Sequence, residues 1–251
     1  MTKKYWVPAI ERVDIVLTII ARAPRQLKLI EISKESDINK SSLFSILNTL
    51  EELGWITKES DNTYSLGAKL GYLSTKYIRQ FDITRVIDEE AEKTLESVKE
   101  TIQLSILEGT EIIYLAKKEG PSRVRVVSEP GMRAPAHATA MGKVMLSKFS
   151  QEELLNMYQT TELEQVTENT VDNLEDLLTQ INAINENKYI IESEEAVRGF
   201  TCIAAPIRNE FNEIIAAVSF TLDTETWKSK KEICKNEILK LAKNLSINKY
   251  S

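Results

Sequence analysis

LKLIEISKESDINKSSLFSILNTLEELGWITKESDNTYSL, residues 27–66, is the stretch on which the fold turns. Leu29–Ser36 has the length and spacing of a short helix. Asn39 is placed to cap a further helix that carries Leu43, Ile46, Leu47, Leu50 and Leu53 on one buried face. Gly54 stands where a left-handed C-terminal cap belongs. Trp55–Lys58 and Thr63–Leu66 have strand composition, and Glu59-Ser60-Asp61-Asn62 between them is turn chemistry. Helix, turn, helix and tight hairpin together form a winged helix-turn-helix, a module whose main use is reading DNA.

Working outward, Val7, Ile10, Val13, Leu17 and Ile20 recur at helical spacing, which predicts an amphipathic helix over 7–22, with Pro8 near its start and Pro24 beyond its end. On the other side, Leu70, Leu73, Tyr77 and Ile78 form a stripe on a helix from Gly67 to about Phe81, expected to link two domains and to pair subunits. Residues 84–100 continue as helix. From Gln103 the pattern changes: Leu104–Leu107 and Ile112–Ala116 flank Glu108-Gly109-Thr110, a hairpin signal. Further strands are expected at Arg123–Ser128, Lys188–Ser193, Phe200–Arg208 and Glu213–Leu222. Helices are expected at His137–Phe149, Gln151–Gln159, Leu174–Asn185 and about Thr226–Leu245. The expected architecture is therefore an α/β two-domain chain: a winged helix-turn-helix over 1–66, a linker helix over 67–81, and an α/β domain with a mostly antiparallel sheet over 82–251.

Composition narrows the function classes. With 42% hydrophobic and 28% charged residues, the chain is an ordinary globular sequence. No apolar run approaches the roughly 20 residues of a membrane span, and Glu11, Arg12 and Asp14 interrupt any signal-peptide core, so a cytoplasmic protein is expected. Two cysteines, Cys202 and Cys234, are too few for a disulfide framework. Residues 1–66 hold nine basic and nine acidic side chains, so the whole net charge of −6 falls on the remainder. Phosphates would be repelled by that acidic body and not by the front domain.

On the capped helix, steps of about 100° per residue put Ser41, Ser45, Asn48 and Glu52 opposite the apolar stripe, with Phe44 at its edge. Asn can bond adenine through both its amide groups, and Phe can touch a thymine methyl. Lys40 at the helix start and Lys58 on the wing are candidates for phosphate contact; Lys3, Lys4, Arg22 and Arg25 are weaker ones. The competing reading is a helical bundle with a solvated polar face.

Elsewhere three motifs fail. Gly142-Lys143 is similar to the end of a phosphate-binding loop, but His137 and Val144 occupy its other key places. One histidine and two cysteines 32 residues apart make no metal site. Cys202 with His137 could form a thiol–imidazole pair, but Cys202 lies in an apolar strand where an inert thiol is the rule. No catalytic activity, cofactor or metal is expected.

INKSSLFSILNTLEELGWITKESDNTYSLGAKLGYL (38–73), MRAPAHATAMGKVMLS (132–147) and GFTCIAAPIRNEFNEIIAAVSF (199–220) together resemble the IclR family of bacterial transcription regulators, in its domain order and over nearly the whole chain. The resemblance implies a winged helix-turn-helix joined by a helix to a GAF-like effector domain. It also implies a homodimer or dimer of dimers on a double-stranded DNA operator, more often a repressor, controlled by a small organic acid. The family's effector pocket maps by position onto Val126, Ala134, Ala140, Met141, Glu192, Cys202, Ser219 and Thr221, with Arg123 where an apolar residue is usual. Phe44, Ser45 and Asn48 stand where family members often carry His or Arg, so the operator sequence does not transfer. From chemistry alone, the small residues Ala138, Thr139, Ala140 and Gly142 begin a helix whose free amides favour an anion. Ser219 and Thr221 share a strand face, as do Arg123 and Arg125, one of which could pair with a carboxylate. The small residues could equally serve only close helix–sheet packing; set beside the resemblance, they lead to the expectation of a small carboxylate effector.

Overall fold

The computed structural model describes residues 6–78, 83–121, 126–159 and 163–246. The chain divides into two compact units, Met1–Tyr77 and Ile78–Ser251.

The first unit packs three helices, α1 (Pro8–Arg22), α2 (Leu29–Ser36) and α3 (Lys40–Glu52), against a hairpin of β1 (Ile56–Lys58) and β2 (Tyr64–Leu66). Asn39 caps α3: its side-chain oxygen accepts from the Ser42 amide at 2.9 Å. At the other end, Gly54 N–H reaches the Glu51 carbonyl at 2.9 Å and Trp55 N–H the Leu50 carbonyl at 2.8 Å, with Gly54 at φ 70°. These two bonds are the Schellman arrangement, and they turn the chain straight into the wing. That turn corrects one expectation. Leu53 is the capping residue, pointed outward and 54% exposed, and Ile46 is only half-buried; the core is Leu43, Leu47 and Leu50 with Val16, Ile20, Ile32 and Ile56. Val7 and Ile10 of the α1 stripe are likewise exposed. Arg25 and Leu27 add backbone bonds to Tyr64, so the segment before α2 braces the wing as a third strip. α4 (Ala68–Ile78) follows the wing; residues 79–81, expected to continue it, lie outside the described ones.

The second unit is a six-stranded sheet in the order β5-β4-β3-β8-β7-β6, with every neighbouring pair antiparallel. Its strands are β3 (Thr101–Glu108), β4 (Glu111–Lys118), β5 (Arg133–Pro135), β6 (Ile190–Ser193), β7 (Phe200–Arg208) and β8 (Ile214–Asp223). Helices α5 (Ile83–Val98) and α9 (Thr224–Ser246) contribute to the core on one face with Ile102, Leu104, Ile203, Val218 and Phe220. On the other face lie α6 (Ala140–Leu146), α7 (Gln151–Tyr158) and α8 (Leu174–Asn187). Two differences from expectation matter. The helix foreseen over His137–Phe149 is a 3-10 turn at Ala136–Ala138 followed by α6, broken at Thr139, whose extended backbone lets its hydroxyl accept from the Gly142 amide at 3.1 Å. The strand foreseen over Arg123–Ser128 lies outside the described residues through Arg125, and 126–128 form no ladder: Ser128 is committed to the side chain of Gln103 instead. No helix among the described residues is long and apolar enough to cross a membrane.

Candidate functional site

Two faces of the protein carry groups not used in packing. On the first unit, α3 presents Lys40, Ser41, Phe44, Ser45 and Asn48 outward, all exposed, with Phe44 54% accessible. The helix period does this: the same steps that bury Leu43, Leu47 and Leu50 turn these five away. The hydroxyl protons of Ser41 and Ser45 are spent locally, on the Asn39 side chain at 2.8 Å and the Ser41 carbonyl at 3.2 Å. Both oxygens therefore remain acceptors. The Asn48 amide bonds to no described residue, which leaves both its donor and acceptor outward. Lys40 and Lys58 are exposed and enter no ion pair among the described residues. Arg25, a weaker phosphate candidate, is paired with Glu59 at 3.0 Å on the wing turn, and Lys3 and Lys4 lie outside the described residues.

On the second unit, strand alternation builds a cavity. Ile102 and Leu104 of β3 go to the α5/α9 core, so Gln103 and Ser105 face the other way. Register then sets two polar rows across the sheet. Glu192, Cys202 and Thr221 are successive partners across β6, β7 and β8; Ala204, Ser219 and Gln103 are successive partners across β7, β8 and β3. Tyr114 on β4 stands opposite Ser105. Facing this wall are Val126, Thr139, Ala140 and Met141, with Ala196, Val197 and Phe200 closing one side around about 410 Å³ of space partly open to solvent.

Hydrogen bonds fix the polar wall. Thr221 donates to Gln103 Oε1 at 2.7 Å and Ser219 to the same oxygen at 3.4 Å, while the Gln103 amide nitrogen donates to Ser128. Cys202 Sγ lies 3.3 Å from Thr221 Oγ1. The Glu192 carboxyl accepts from the amides of Glu195 and Ala196, the latter at 3.1 Å. Burial dominates the electrostatics. It raises the Glu192 carboxyl to about 7, against the pull of those amides and of Lys143. It pushes the Cys202 thiol far up, an effect that neighbouring Glu192 reinforces, and the Tyr114 phenol up as well. Lys143 is shifted downward by burial and held charged by Glu195.

Of the sequence-derived pocket residues, the cavity brings together Val126, Ala140, Met141, Glu192, Cys202, Ser219 and Thr221. Ala134 is not on its wall: from β5 it pairs with Ile112 of β4 and packs against the core that α6 shares. Arg123 lies outside the described residues. Gln103, Tyr114, Thr139 and Phe200 also line the space without having been singled out. For Gln103 and Tyr114 the signal was present, in the alternation Ile102-Gln103-Leu104 and Ile113-Tyr114-Leu115. The thiol–imidazole pair does not form. His137 points its Nε2 at the Glu164 carbonyl, 2.9 Å away, and packs edge-on against Tyr158. Among the described residues no group of three or more His, Cys, Asp or Glu could hold a metal ion.

Comparison with known proteins places both units. Residues 9–60 match the IclR helix-turn-helix domain, and residues 75–247 match the bacterial transcriptional regulator IclR C-terminal domain. The chain is 31% identical over 201 residues to the HTH-type transcriptional regulator KdgR of Dickeya chrysanthemi, which is 80% of this chain and 66% of that one. It thus spans about two thirds of that relative's length. It is 28% identical over 214 residues to the HTH-type transcriptional repressor AllR of Salmonella typhimurium, covering 85% and 79% of the two chains. These relatives are transcriptional regulators, not enzymes. In fold, the Thermotoga maritima IclR crystal structure matches with a TM-score of 0.74 at 24% identity, over 95% of this chain and 97% of that one. An IclR homologue from Microbacterium hydrocarbonoxydans, crystallised with 4-hydroxybenzoate, matches with a TM-score of 0.77 at 21% identity, over 96% and 100%. With both family domains matched in order across most of its length, the chain belongs to the IclR family of bacterial transcriptional regulators.

Proposed function

We propose that the protein is a cytoplasmic repressor whose grip on its operator is set by a small carboxylate bound in the second unit's cavity. The observation that carries this reading is the row of polar side chains, Glu192, Cys202, Ser219, Thr221 and Gln103, along one wall of a cavity in a transcriptional regulator. The related structure with 4-hydroxybenzoate is an instance of an acid bound by a family member. The repressor role follows the naming of AllR.

On DNA, α3 enters the major groove with Ser41, Phe44, Ser45 and Asn48 at base edges, while Lys40 and Lys58 neutralise phosphates. The α4 segment within 67–81 serves as linker and subunit contact: Tyr72 and Leu73 are exposed apolar side chains on it, and Val7 and Ile10 add a second exposed apolar strip at the start of α1. A homodimer or dimer of dimers so built offers paired α3 helices to a pseudo-palindrome, and effector binding shifts the population of geometries that fit it.

The test is a mobility shift with the DNA upstream of the protein's own gene, at low and high salt, with and without small carboxylates. Binding that weakens steeply with salt and is released by a carboxylate is expected. Binding that ignores salt, or a cavity ligand that leaves DNA binding unchanged, would reduce the protein to a metabolite-binding module.

A further inference from the structure

Glu192 is the single carboxylic acid on the described wall of the cavity, and its side chain is 1% exposed. Both backbone donors that hold it, from Glu195 and Ala196, use Oε1, and the Cys202 thiol also hydrogen-bonds to the carboxyl, so Oε2, with no backbone donor, is the oxygen on which a proton can sit. The charged and titratable groups around it come from four elements. Lys143 reaches in from α6, Glu195 from the loop after β6, Cys202 from β7 and Tyr114 from β4. Lys143 does not neutralise Glu192: its ammonium is bonded to Glu195 at 2.5 Å. An ionised Glu192 would therefore leave one uncompensated negative charge against the cavity, and an incoming carboxylate would add a second. Two carboxylates in one poorly solvated space do not both stay ionised; they share a proton.

We propose that Glu192 holds an acidic effector as the protonated half of a carboxyl–carboxylate pair. The inference rests on the carboxylate reading of the site. Its balance is simple. Above about pH 7, where the free protein's Glu192 is ionised, a buffer acid gives up one proton, an O–H bond forms on Glu192, and that hydrogen is donated to the effector's carboxylate; below that pH the proton is already in place, and a neutral ligand takes up none. Burial already keeps the Glu192 proton until about pH 7 in the empty cavity, so the apparent affinity for an acid is full below that pH and falls above it. The pairing also explains how a site with a buried acid can accept an anion at all.

The experiment is calorimetry on the full chain with benzoate, 4-hydroxybenzoate and propionate, each beside its isosteric amide, across a pH series and in two buffers of different ionisation enthalpy. Carboxylate affinity should fall about tenfold per pH unit above about 7. The buffer comparison should report proton uptake that approaches one per site well above pH 7 and vanishes well below it, where Glu192 is already protonated, and the amides should show neither effect. Glu192→Gln, which keeps a donor but cannot titrate, should flatten the carboxylate profile while retaining binding; should that variant not fold, the wild-type buffer comparison decides. Carboxylate binding that is flat in pH and takes up no proton overturns the inference and leaves the carboxylate reading standing. Binding by none of the three acids at any pH overturns both.

Discussion

Lys143 Nζ lies 2.5 Å from Glu195 Oε1, with the two side chains 0% and 9% exposed. The pair ties α6 to the loop between β6 and β7, one side of the cavity to another. The loop is held further by Thr170 and Thr167, whose hydroxyls reach the carbonyls of Glu195 and Glu194 at 2.6 Å each, and by the Val171 amide at 3.3 Å from Glu195 Oε2. Removing one charge strands the other in a dry site. Lys143→Met should cost about 3–5 kcal/mol in chemical denaturation. Adding Glu195→Gln, which still accepts from Val171 but carries no charge, should restore a good part of that loss. A double variant no better than the single one would show that packing, not charge, sets the effect.

This pair also marks the boundary of what the sequence discloses. α2 at Leu29–Ser36 and β7 at Phe200–Arg208 are legible to the residue, because periodicity and flanking turns act locally. Lys143 and Glu195 are 52 positions apart, and nothing local says that they meet. β5 is missed for a related reason: three residues ending in Pro135 have no strand signature, and only the neighbouring edge of β4 makes Arg133–Pro135 extended. Most of the pocket comes from family likeness, while Gln103 and Tyr114 needed the simpler observation that their neighbours on both sides are core residues.

Gly142 should tolerate no side chain. A Cβ there would sit 2.1 Å from the Ala136 carbonyl oxygen and 2.3 Å from its Cα, so the 3-10 turn would have to move off α6 and distort the Thr139–Met141 wall. Gly142→Ala is expected to destabilise by at least about 2 kcal/mol. By contrast Gly71, in the interior of α4 with nothing within 4 Å of its Cβ position, should gain up to about 1 kcal/mol as Ala. Thermal or denaturant unfolding of the two variants checks the contrast; a neutral Gly142→Ala would mean that the turn can yield.

Asn48 and Lys58 should separate base reading from phosphate contact. Asn48→Ala removes the amide that faces outward without a partner, and should cost about 1–3 kcal/mol on the operator while sparing non-specific DNA. Lys58→Ala should weaken binding to all sequences and lower the salt slope by about one. Competition binding at several salt concentrations distinguishes them, and equal losses on both DNAs for Asn48→Ala would remove it as a base reader.

Leu73 tests the proposed subunit contact. It is 43% exposed on α4 beside Tyr72, so a charge there leaves the packing of its own chain largely intact. Leu73→Glu is expected to shift the protein toward monomer in sedimentation and to lower operator affinity, since one α3 reads only half a site. An unchanged sedimentation profile would place the contact elsewhere, with the uncovered residues at the start of α1 as the next candidate.

Glu192 makes the stability of the unliganded protein depend on pH in a direction opposite to most carboxylates. Its folded-state value of about 7 lies above the ordinary 4.5, because burial disfavours the ion. Between these two values the folded chain keeps a proton that the unfolded chain releases. The favourable contribution is therefore complete below about 4.5, is lost as pH rises through 7, and leaves a fixed deficit of about 3 kcal/mol above that. Glu192→Gln retains the oxygen that accepts from Glu195 and Ala196 but has no proton to lose. It should be more stable than the wild type at pH 8 by an amount approaching that deficit, with the advantage shrinking to nothing toward pH 4.5 in a series of denaturation curves. A variant less stable at pH 8 would mean that the ionised carboxylate, through its amides and Lys143, is worth more to the fold than its burial costs.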